Sequence, residues 1–186
     1  MDTGPDPRHL RRLAMLLAMP DADGREALRE IADQEPWIID AIAELESLPV
    51  EHWQAEHTRL FIAGYPRTPC PPFESVYRQG QMGGSMAGDL REFYRRVGLE
   101  PAAAPADYLG TLLDCAAYLA DLTQDAIPAN DPASPASALR AELWDDHLLH
   151  WLSRFAHDLE QHAQLKLYRL LGAQLARLVP APVNGT

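Results

Sequence analysis

The sequence has very little lysine or cysteine. Lys166 is the only lysine among 186 residues, and Cys70 and Cys115 are the only cysteines. The formal net charge of −11 argues against a nucleic-acid partner, because such proteins neutralise phosphates with clustered basic residues. Two distant cysteines are too few for a disulfide scaffold or a zinc site, and they favour a reducing compartment. We therefore expect a cytoplasmic protein whose acidic surface suits a basic partner.

Long apolar runs are absent as well. No segment approaches the roughly eighteen apolar residues that a membrane-spanning helix needs, so we expect no membrane insertion. Arg11 and Arg12, followed by apolar residues 13–19, superficially resemble a twin-arginine signal. That apolar stretch ends after seven residues at Pro20, and no small-residue cleavage site follows it. The segment is therefore predicted to be an amphipathic first helix.

Motifs for metal, nucleotide or hydrolytic chemistry are also missing. The sequence contains no HExxH, no glutamate followed by histidine at i+3, no GxxxxGK[ST] and no GxGxxG. His147 and His150 could hold a metal, which would make the protein a metal-dependent helical enzyme. Alternatively, they pack among Trp144, Leu148 and Trp151 with one ring nitrogen bonded. We favour the packing interpretation and expect no cofactor.

Apolar residues recur at spacings of three and four through most of the chain, and no alternating strand pattern is of useful length. The pattern predicts helices over residues 7–19, 24–34, 36–48, 50–62, 86–97, 107–124, about 134–159 and 165–178. Residues 101–105 and 127–135 are predicted linkers. Because the breaks are frequent, we expect an all-α fold: residues 1–186 form a single compact domain of many short helices, with a frayed tail from about residue 180.

The helix predicted over residues 107–124 carries polar residues along one face. Asp107 is predicted to be its N-cap. The polar positions recur at spacings of three and four, and they are Asp107, Thr111, Asp114, Tyr118, Asp121 and Asp125. They form an acidic stripe with one tyrosine. The stripe is either a solvated face, which we favour, or a partner surface.

The stretch Pro69–Tyr77, which reads PCPPFESVY, is the segment around which the chain is organised. Its prolines lack N–H donors and fix φ, so Pro69–Phe73 is predicted to be stiff and extended. Phe73 then offers an aromatic ring, and the polar residues up to Tyr77 could cap a helical turn or contact a ligand. The segment is either a rigid elbow between helices or a shaped binding surface.

Several segments together resemble the TorD/DmsD/NarJ family of chaperones for molybdenum enzymes. They are EHTRLF at residues 56–61, CPPFESVY at 70–77, PAD at 105–107, WLSRF at 151–155 and LYRLL at 167–171. The resemblance covers most of the chain, and CPPFESVY is its specific part. It implies an all-helical cytoplasmic chaperone, not an enzyme. Such a chaperone binds the N-terminal leader, twin-arginine or vestigial, of the apo catalytic subunit of a molybdenum oxidoreductase until the cofactor is inserted.

The resemblance also indicates a branch of the family. ADYLGT at residues 106–111, together with CPPFES, looks most like the branch serving type II enzymes of the dimethyl-sulfoxide-reductase class, including ethylbenzene, dimethyl sulfide, selenate and chlorate systems. Tyr108 stands where the family commonly has His, and Leu112 where it has Glu, which leaves Asp107 as the residue most safely carried over. Family members can swap helices, so a monomer and a helix-swapped dimer both stay open, with residues 128–135 as a possible hinge.

We predict that the leader binds in an apolar groove with carboxylates at one end. Phe73, Tyr77 and Tyr118 would line the groove, and three carboxylates would meet the arginines. The predicted partner-binding residues are Arg59, Phe61, Cys70, Pro71, Pro72, Phe73, Glu74, Ser75, Tyr77, Asp107, Tyr108, Asp114 and Tyr118, with Glu74, Asp107 and Asp114 as the carboxylates. A structural subunit retained in the mature complex is the other alternative.

Overall fold

The architecture is all-α, as predicted. A computed structural model describes residues 4–100, 105–125, 131 and 134–180. Its α-helices are α1 Pro7–Met15, α2 Gly24–Ile31, α3 Ile39–Glu46, α4 Val50–Phe61, α5 Glu74–Gln79, α6 Ser85–Val97, α7 Leu109–Asp125, α8 Pro135–Glu142, α9 Leu152–His162 and α10 Lys166–Arg177. A 3-10 turn covers Pro36–Ile38, a π turn Leu143–His147, and a second 3-10 turn Leu148–His150.

Some predicted features lie outside the described residues. They are most of the linkers at 101–105 and 127–135, including the possible hinge, and the tail beyond residue 180. Within the described ranges, the only strand-like pairing is an isolated antiparallel bridge between Phe73 and Tyr108. None of the helices in those ranges is both long enough and apolar enough to cross a bilayer.

Helix α7 is the central element of the core. Most of its residues are buried, including the fully buried Leu109, Leu112 and Leu113. A helix that is apolar around most of its circumference must be covered on several sides. Helices α1 and α8 pack against α7, while α9 packs against α10 and supplies Phe155 to an aromatic part of the same core.

The arginine pair lies in α1, which is an amphipathic helix as predicted. Pro7 occupies the first position of the helix, where the missing N–H removes no intrahelical hydrogen bond. The apolar face of the helix is buried. Arg11 forms an ion pair with Asp121 of α7. Arg12 pairs with Glu35 at 3.1 Å. One carboxylate of the acidic stripe is thus already paired within the chain.

The helix predicted from about residue 134 to 159 is broken in the middle, so that prediction was wrong. Five residues follow one another at a spacing of four: Leu139, Leu143, His147, Trp151 and Phe155. In an unbroken α-helix each step of four residues would rotate the side chain by about 40°. A π turn holds more residues per turn and counteracts this drift. The break therefore lets Leu143, Trp151 and Phe155 all be buried.

Candidate functional site

Backbone hydrogen bonds join the PPFESVY segment to the start of α7. The N–H of Glu74 donates to the carbonyl of Asp107 at 3.0 Å, and the N–H of Leu109 donates to that of Pro72 at 2.9 Å. We refer to the two joined segments, residues 71–77 and 107–109, as the junction. Phe73 has extended backbone angles, as predicted, and α5 begins at the next residue. The junction thus holds a proline-stiffened extended segment against the start of the central helix.

Asp107 is buried at the centre of the junction, with 1% of its surface exposed. Its Oδ2 accepts hydrogen bonds from the backbone N–H of Ser75 at 3.1 Å and from the Ser75 hydroxyl at 2.5 Å. That hydroxyl accepts from the N–H of Gly83 at 3.0 Å. The prediction that Asp107 caps α7 was wrong, because its carboxylate instead satisfies a free N–H in the first turn of α5.

Glu74 is fully buried beside Asp107. Its carboxylate accepts from Arg78 Nη1 at 2.5 Å and from His147 Nδ1 at 3.0 Å. Arg78 also donates to the carbonyl of Asp146 at 2.7 Å, so this cluster ties α5 to the π turn. Burying an unpaired carboxylate is costly, and these partners offset that cost. In this arrangement Glu74 and Asp107 serve internal partners and do not face solvent.

The side chains of Phe73 and Tyr108 form the partly exposed part of the junction. Their ring centroids lie 5.8 Å apart, within the range of favourable aromatic pairs. A Cβ atom at Gly110 would stand 2.5 Å from Cε1 of Tyr108, so glycine leaves the space that this ring occupies. Burial, with a smaller contribution from the charge of Asp114, raises the pKa of Tyr108 to about 12. Tyr108 is therefore a neutral hydrogen-bond donor.

The carbonyl of Leu17 holds the Tyr108 side chain of the junction in place. It accepts from the Tyr108 hydroxyl at 2.9 Å and from His57 Nε2 at 3.0 Å. Burial lowers the pKa of His57, and the hydrogen bond to Leu17 only partly offsets this effect. His57 is thus neutral, with its proton on Nε2, while Nδ1 finds no partner within the described part of the chain.

Exposed apolar side chains lie next to this support. Met15 is 40% exposed and Met19 is 46% exposed, and both line a cleft of about 200 Å³ together with Trp53. Leu16 lines the same cleft and directly precedes Leu17, whose carbonyl contacts the Tyr108 hydroxyl of the junction. Methionine side chains are flexible and polarizable, which suits them to apolar partners of variable shape.

Tyr77 is partly exposed in a different cleft. Its hydroxyl donates to Asp158 at 3.1 Å, and the guanidinium of Arg154 lies 5.4 Å from the centre of its ring. These residues, with Ser153 and His157, line a cleft of about 460 Å³. Among the clefts described here, Phe73 and Tyr77 therefore do not line a common groove, although they are four residues apart.

Three other predicted site residues contact internal partners, and two of them, Phe61 and Cys70, are buried. The side chain of Arg59 binds the Glu56 carboxylate through Nε at 2.7 Å and Nη2 at 2.9 Å, and Nη2 reaches the carbonyl of His162. Phe61 is 4% exposed in the core. Cys70 is a buried free thiol whose pKa is raised by burial to about 12, so it stays protonated. Phe61 and Cys70 are thus core residues, whereas Arg59 is partly exposed and joins α4 to the end of α9.

The remaining predicted residues range from exposed to buried. Asp114 is exposed on α7, and Tyr118 is partly buried against the core. Pro72 is buried and Pro71 is partly exposed. The structure brings together residues 71–75 and 107–108, whereas Tyr118 is placed farther along α7.

Arg78 and His147 are the partners of Glu74 that sequence reasoning missed. Arg78 follows Glu74 by four residues, a spacing that pairs charges on a helix and could have revealed it. The expected hydrogen bond to one ring nitrogen is present in His147, whose Nδ1 contacts Glu74, but the packing interpretation was wrong for His150, which is exposed. Among the described residues, no three His, Cys, Asp or Glu side chains converge where they could hold a metal ion.

Comparisons with known proteins agree with the resemblance. The family model described as nitrate reductase delta subunit matches residues 19–157. The chain is 38% identical over 141 residues to the Tat proofreading chaperone DmsD of Salmonella typhimurium, covering 73% of this chain and 60% of that protein. It is 29% identical over 117 residues to the chaperone protein YcdY of Escherichia coli, covering 63% of this chain and 55% of that protein.

A solved structure has the same fold. It is titled as a redox enzyme maturation protein from Archaeoglobus fulgidus, and it aligns with a TM-score of 0.67 and 21% identity over 94% of this chain and 93% of that one. The matched part of the chain spans only 60% and 55% of the lengths of the two curated relatives. The family model, however, covers well over half of the present chain. The chain therefore belongs to the nitrate reductase delta subunit family.

Proposed function

We propose that this protein is a cytoplasmic maturation chaperone that binds the N-terminal leader of the apo catalytic subunit of a molybdenum oxidoreductase. It holds that subunit until the molybdenum cofactor has been inserted and catalyses no reaction itself. Its client belongs to the type II enzymes of the dimethyl-sulfoxide-reductase class. The observation that carries the proposal is the 38% identity to a protein named as a Tat proofreading chaperone.

The geometry of the junction supports this function. A receptor for an apolar, arginine-bearing leader needs an apolar surface that does not collapse when the leader is absent. Phe73 and Tyr108 provide partly exposed rings on a backbone fixed by the hydrogen bonds of Asp107. Met15 and Met19 provide further exposed apolar area, and they lie two residues before and after Leu17, whose carbonyl accepts from Tyr108. The leader's apolar segment would lie across these side chains.

The acidic residues take a smaller part in this proposal than the sequence indicated. Glu74 and Asp107 are buried and engaged with internal partners, whereas Asp114 is an exposed carboxylate close enough to Tyr108 to affect the pKa of that side chain. An exposed ion pair contributes about 0.2–1 kcal/mol, whereas burying a Phe-sized side chain contributes about 1.5–3 kcal/mol. The rings would therefore set affinity, and Asp114 would orient the arginines.

Titration calorimetry with leader peptides tests the proposal. The peptides are synthetic twin-arginine leaders of molybdenum oxidoreductases from the same organism, each with a version in which both arginines are replaced by alanine. We expect saturable one-to-one binding of the native leaders, weakened only a few-fold without the arginines. Failure of every leader to bind would overturn the proposal.

Co-purification separates a transient chaperone from a retained subunit. A tagged catalytic subunit is isolated from cells that lack the molybdenum cofactor and, in parallel, from cells that contain it. We expect this protein to accompany only the cofactor-free subunit. Its stoichiometric presence in the finished, active enzyme would instead identify it as a structural subunit.

A further inference from the structure

A cleft apart from the junction contains charged groups that the proposed function does not use. It has a volume of about 750 Å³ and opens where the start of α1, helix α8 with the π turn, and the end of α10 meet. Arg140, Trp144 and Arg177 line it, with apolar walls from Leu149 and Leu178. Its volume lies within the range of sites for small molecules. None of the partner-binding residues predicted from the sequence lines it.

The two arginines of this cleft have no counter-ion among the residues that the structure describes, although the protein as a whole is acidic. The chain carries 27 acidic residues, yet neither guanidinium forms an ion pair within the described ranges. Arg177 donates a hydrogen bond to Gln174 Oε1 at 3.3 Å, and Arg140 is half-buried. Both lie in the last turn of a helix, where the partial negative charge of the backbone favours a cation but is no full counter-ion.

The other charged groups facing the cleft do not neutralise it. Asp145 is an exposed carboxylate on the rim. His9 also lines the cleft, but its Nδ1 is bonded to the buried Glu35 at 2.9 Å. Among the described residues that line the cleft, Asp145 is thus the one exposed acid that the two guanidiniums face. An anion entering the cleft would gain planar, multi-donor contacts of the kind that guanidinium groups make with carboxylates and phosphates.

Trp144 adds an apolar component to the site. It belongs to the π turn, and π turns occur frequently at functional positions. Its indole is only partly buried and forms part of the same wall as Arg140. A flat ring can pack against an indole face, while a group of negative charge on that ring reaches the arginines.

We propose that this cleft binds a small organic anion in which a flat ring carries a phosphate or carboxylate group. The site is independent of leader binding, because none of its residues belongs to the junction. The cations select the charge, and Trp144 together with Leu149 and Leu178 selects the ring. Either charged group satisfies this chemistry, so the experiment has one arm for each.

Titration calorimetry on the whole protein tests the site with four probes. They are 4-methylumbelliferyl phosphate, 7-methoxycoumarin-4-acetate, the uncharged 4-methylumbelliferone and inorganic phosphate. We expect at least one of the two charged ring compounds to bind about tenfold or more tightly than both the uncharged ring and free phosphate. Binding of the phosphate probe alone or the carboxylate probe alone assigns the preferred group.

Variants locate the binding. Arg140→Gln combined with Arg177→Gln should weaken the charged ring compound about tenfold or more, while Arg67→Gln, an exposed arginine elsewhere, should change nothing. Leader affinity should be the same in both variants. Unchanged probe affinity in the double variant, equal binding of the uncharged ring, or no binding by any probe would each contradict the proposal.

Discussion

The junction and the 750 Å³ cleft both contain charged side chains, but those of the junction are buried and bonded, whereas those of the cleft line an open volume. In the junction, Glu74 and Asp107 are 0% and 1% exposed, and each is bonded to donors from other segments. In the cleft, Arg140 and Arg177 face an open volume without an ion-pair partner among the described residues. The two carboxylates of the motif thus stabilise the shape of a surface. The two arginines, which belong to no motif, remain available to bind a ligand.

This difference separates two roles that a motif cannot distinguish. A buried, fully bonded carboxylate contributes through the rigidity of its surroundings, so its loss should first affect stability. An unpaired, accessible cation contributes nothing comparable to the fold, so its loss should first affect binding. Substitutions in the junction and in the cleft therefore test this difference. In each case the quantity to measure is the free energy of unfolding.

The largest loss of stability is expected from Glu74→Gln. The amide would leave Arg78 and His147 facing each other without the buried carboxylate that both contact. Removing one partner of a fully buried pair typically costs about 3–5 kcal/mol, and because Arg78 keeps 30% of its side chain exposed we expect a loss at the lower end, about 3 kcal/mol. Urea unfolding should show a loss of that size, against less than about 0.5 kcal/mol for the exposed Asp145→Asn. Equally small losses for Glu74→Gln and Asp145→Asn would contradict a stabilising role for the buried carboxylate.

A smaller loss is expected from Asp107→Ala. The substitution leaves the N–H and hydroxyl of Ser75 without their acceptor at the start of α5. Leaving buried polar groups unsatisfied costs about 1–3 kcal/mol. Asp114→Ala, on the exposed side of α7, is the matched control and should leave the urea midpoint nearly unchanged. A destabilised control with a stable Asp107→Ala would reverse the assigned roles.

The support beneath the junction should make stability depend on pH. Burial lowers the pKa of His57 below its usual value of 6.5, so between these two pKa values the unfolded state binds a proton that the folded state does not. Stability should therefore fall as the pH drops below about 6.5, by up to about 1.4 kcal/mol per pH unit. His57→Gln should reduce that slope in urea unfolding at pH 7.5, 6.5 and 5.5. An unchanged slope would assign it to other groups.

The smallest effect on stability is expected from Arg140→Gln. Because the guanidinium has no ion-pair partner in the described structure, its charge contributes little to the fold. The free energy of unfolding should change by less than about 0.5 kcal/mol. A loss comparable to that of Asp107→Ala would show that the cleft, like the junction, uses its charges internally.

The sequence predicted most of the helices, but not which charged residues are buried and bonded and which are exposed. The spacing of Leu10 and Leu13 is local, and helical periodicity reveals it directly. The partners of the two junction carboxylates are distant, since Glu74 meets His147 across 73 positions and Asp107 meets Ser75 across 32. No local pattern contains that information.

The cleft escaped sequence analysis for a related reason. Its lining comes from segments near residues 4–9, 137–149 and 174–180, and none of these segments carries a motif. The broken helix between α8 and α9 was missed because a spacing of four is compatible with a continuous helix until packing is considered. Recognition of the family, in contrast, needed only the CPPFESVY block and its companions.

Leader binding by two variants tests the central claim most directly. Titration calorimetry with a native leader peptide compares Phe73→Ala, which removes a ring of the junction, with Asp114→Asn, which removes an exposed charge. We expect Phe73→Ala to weaken binding by about tenfold or more and Asp114→Asn by about fivefold or less, mainly at low salt. The opposite order would contradict a leader held chiefly by the apolar surface of the junction.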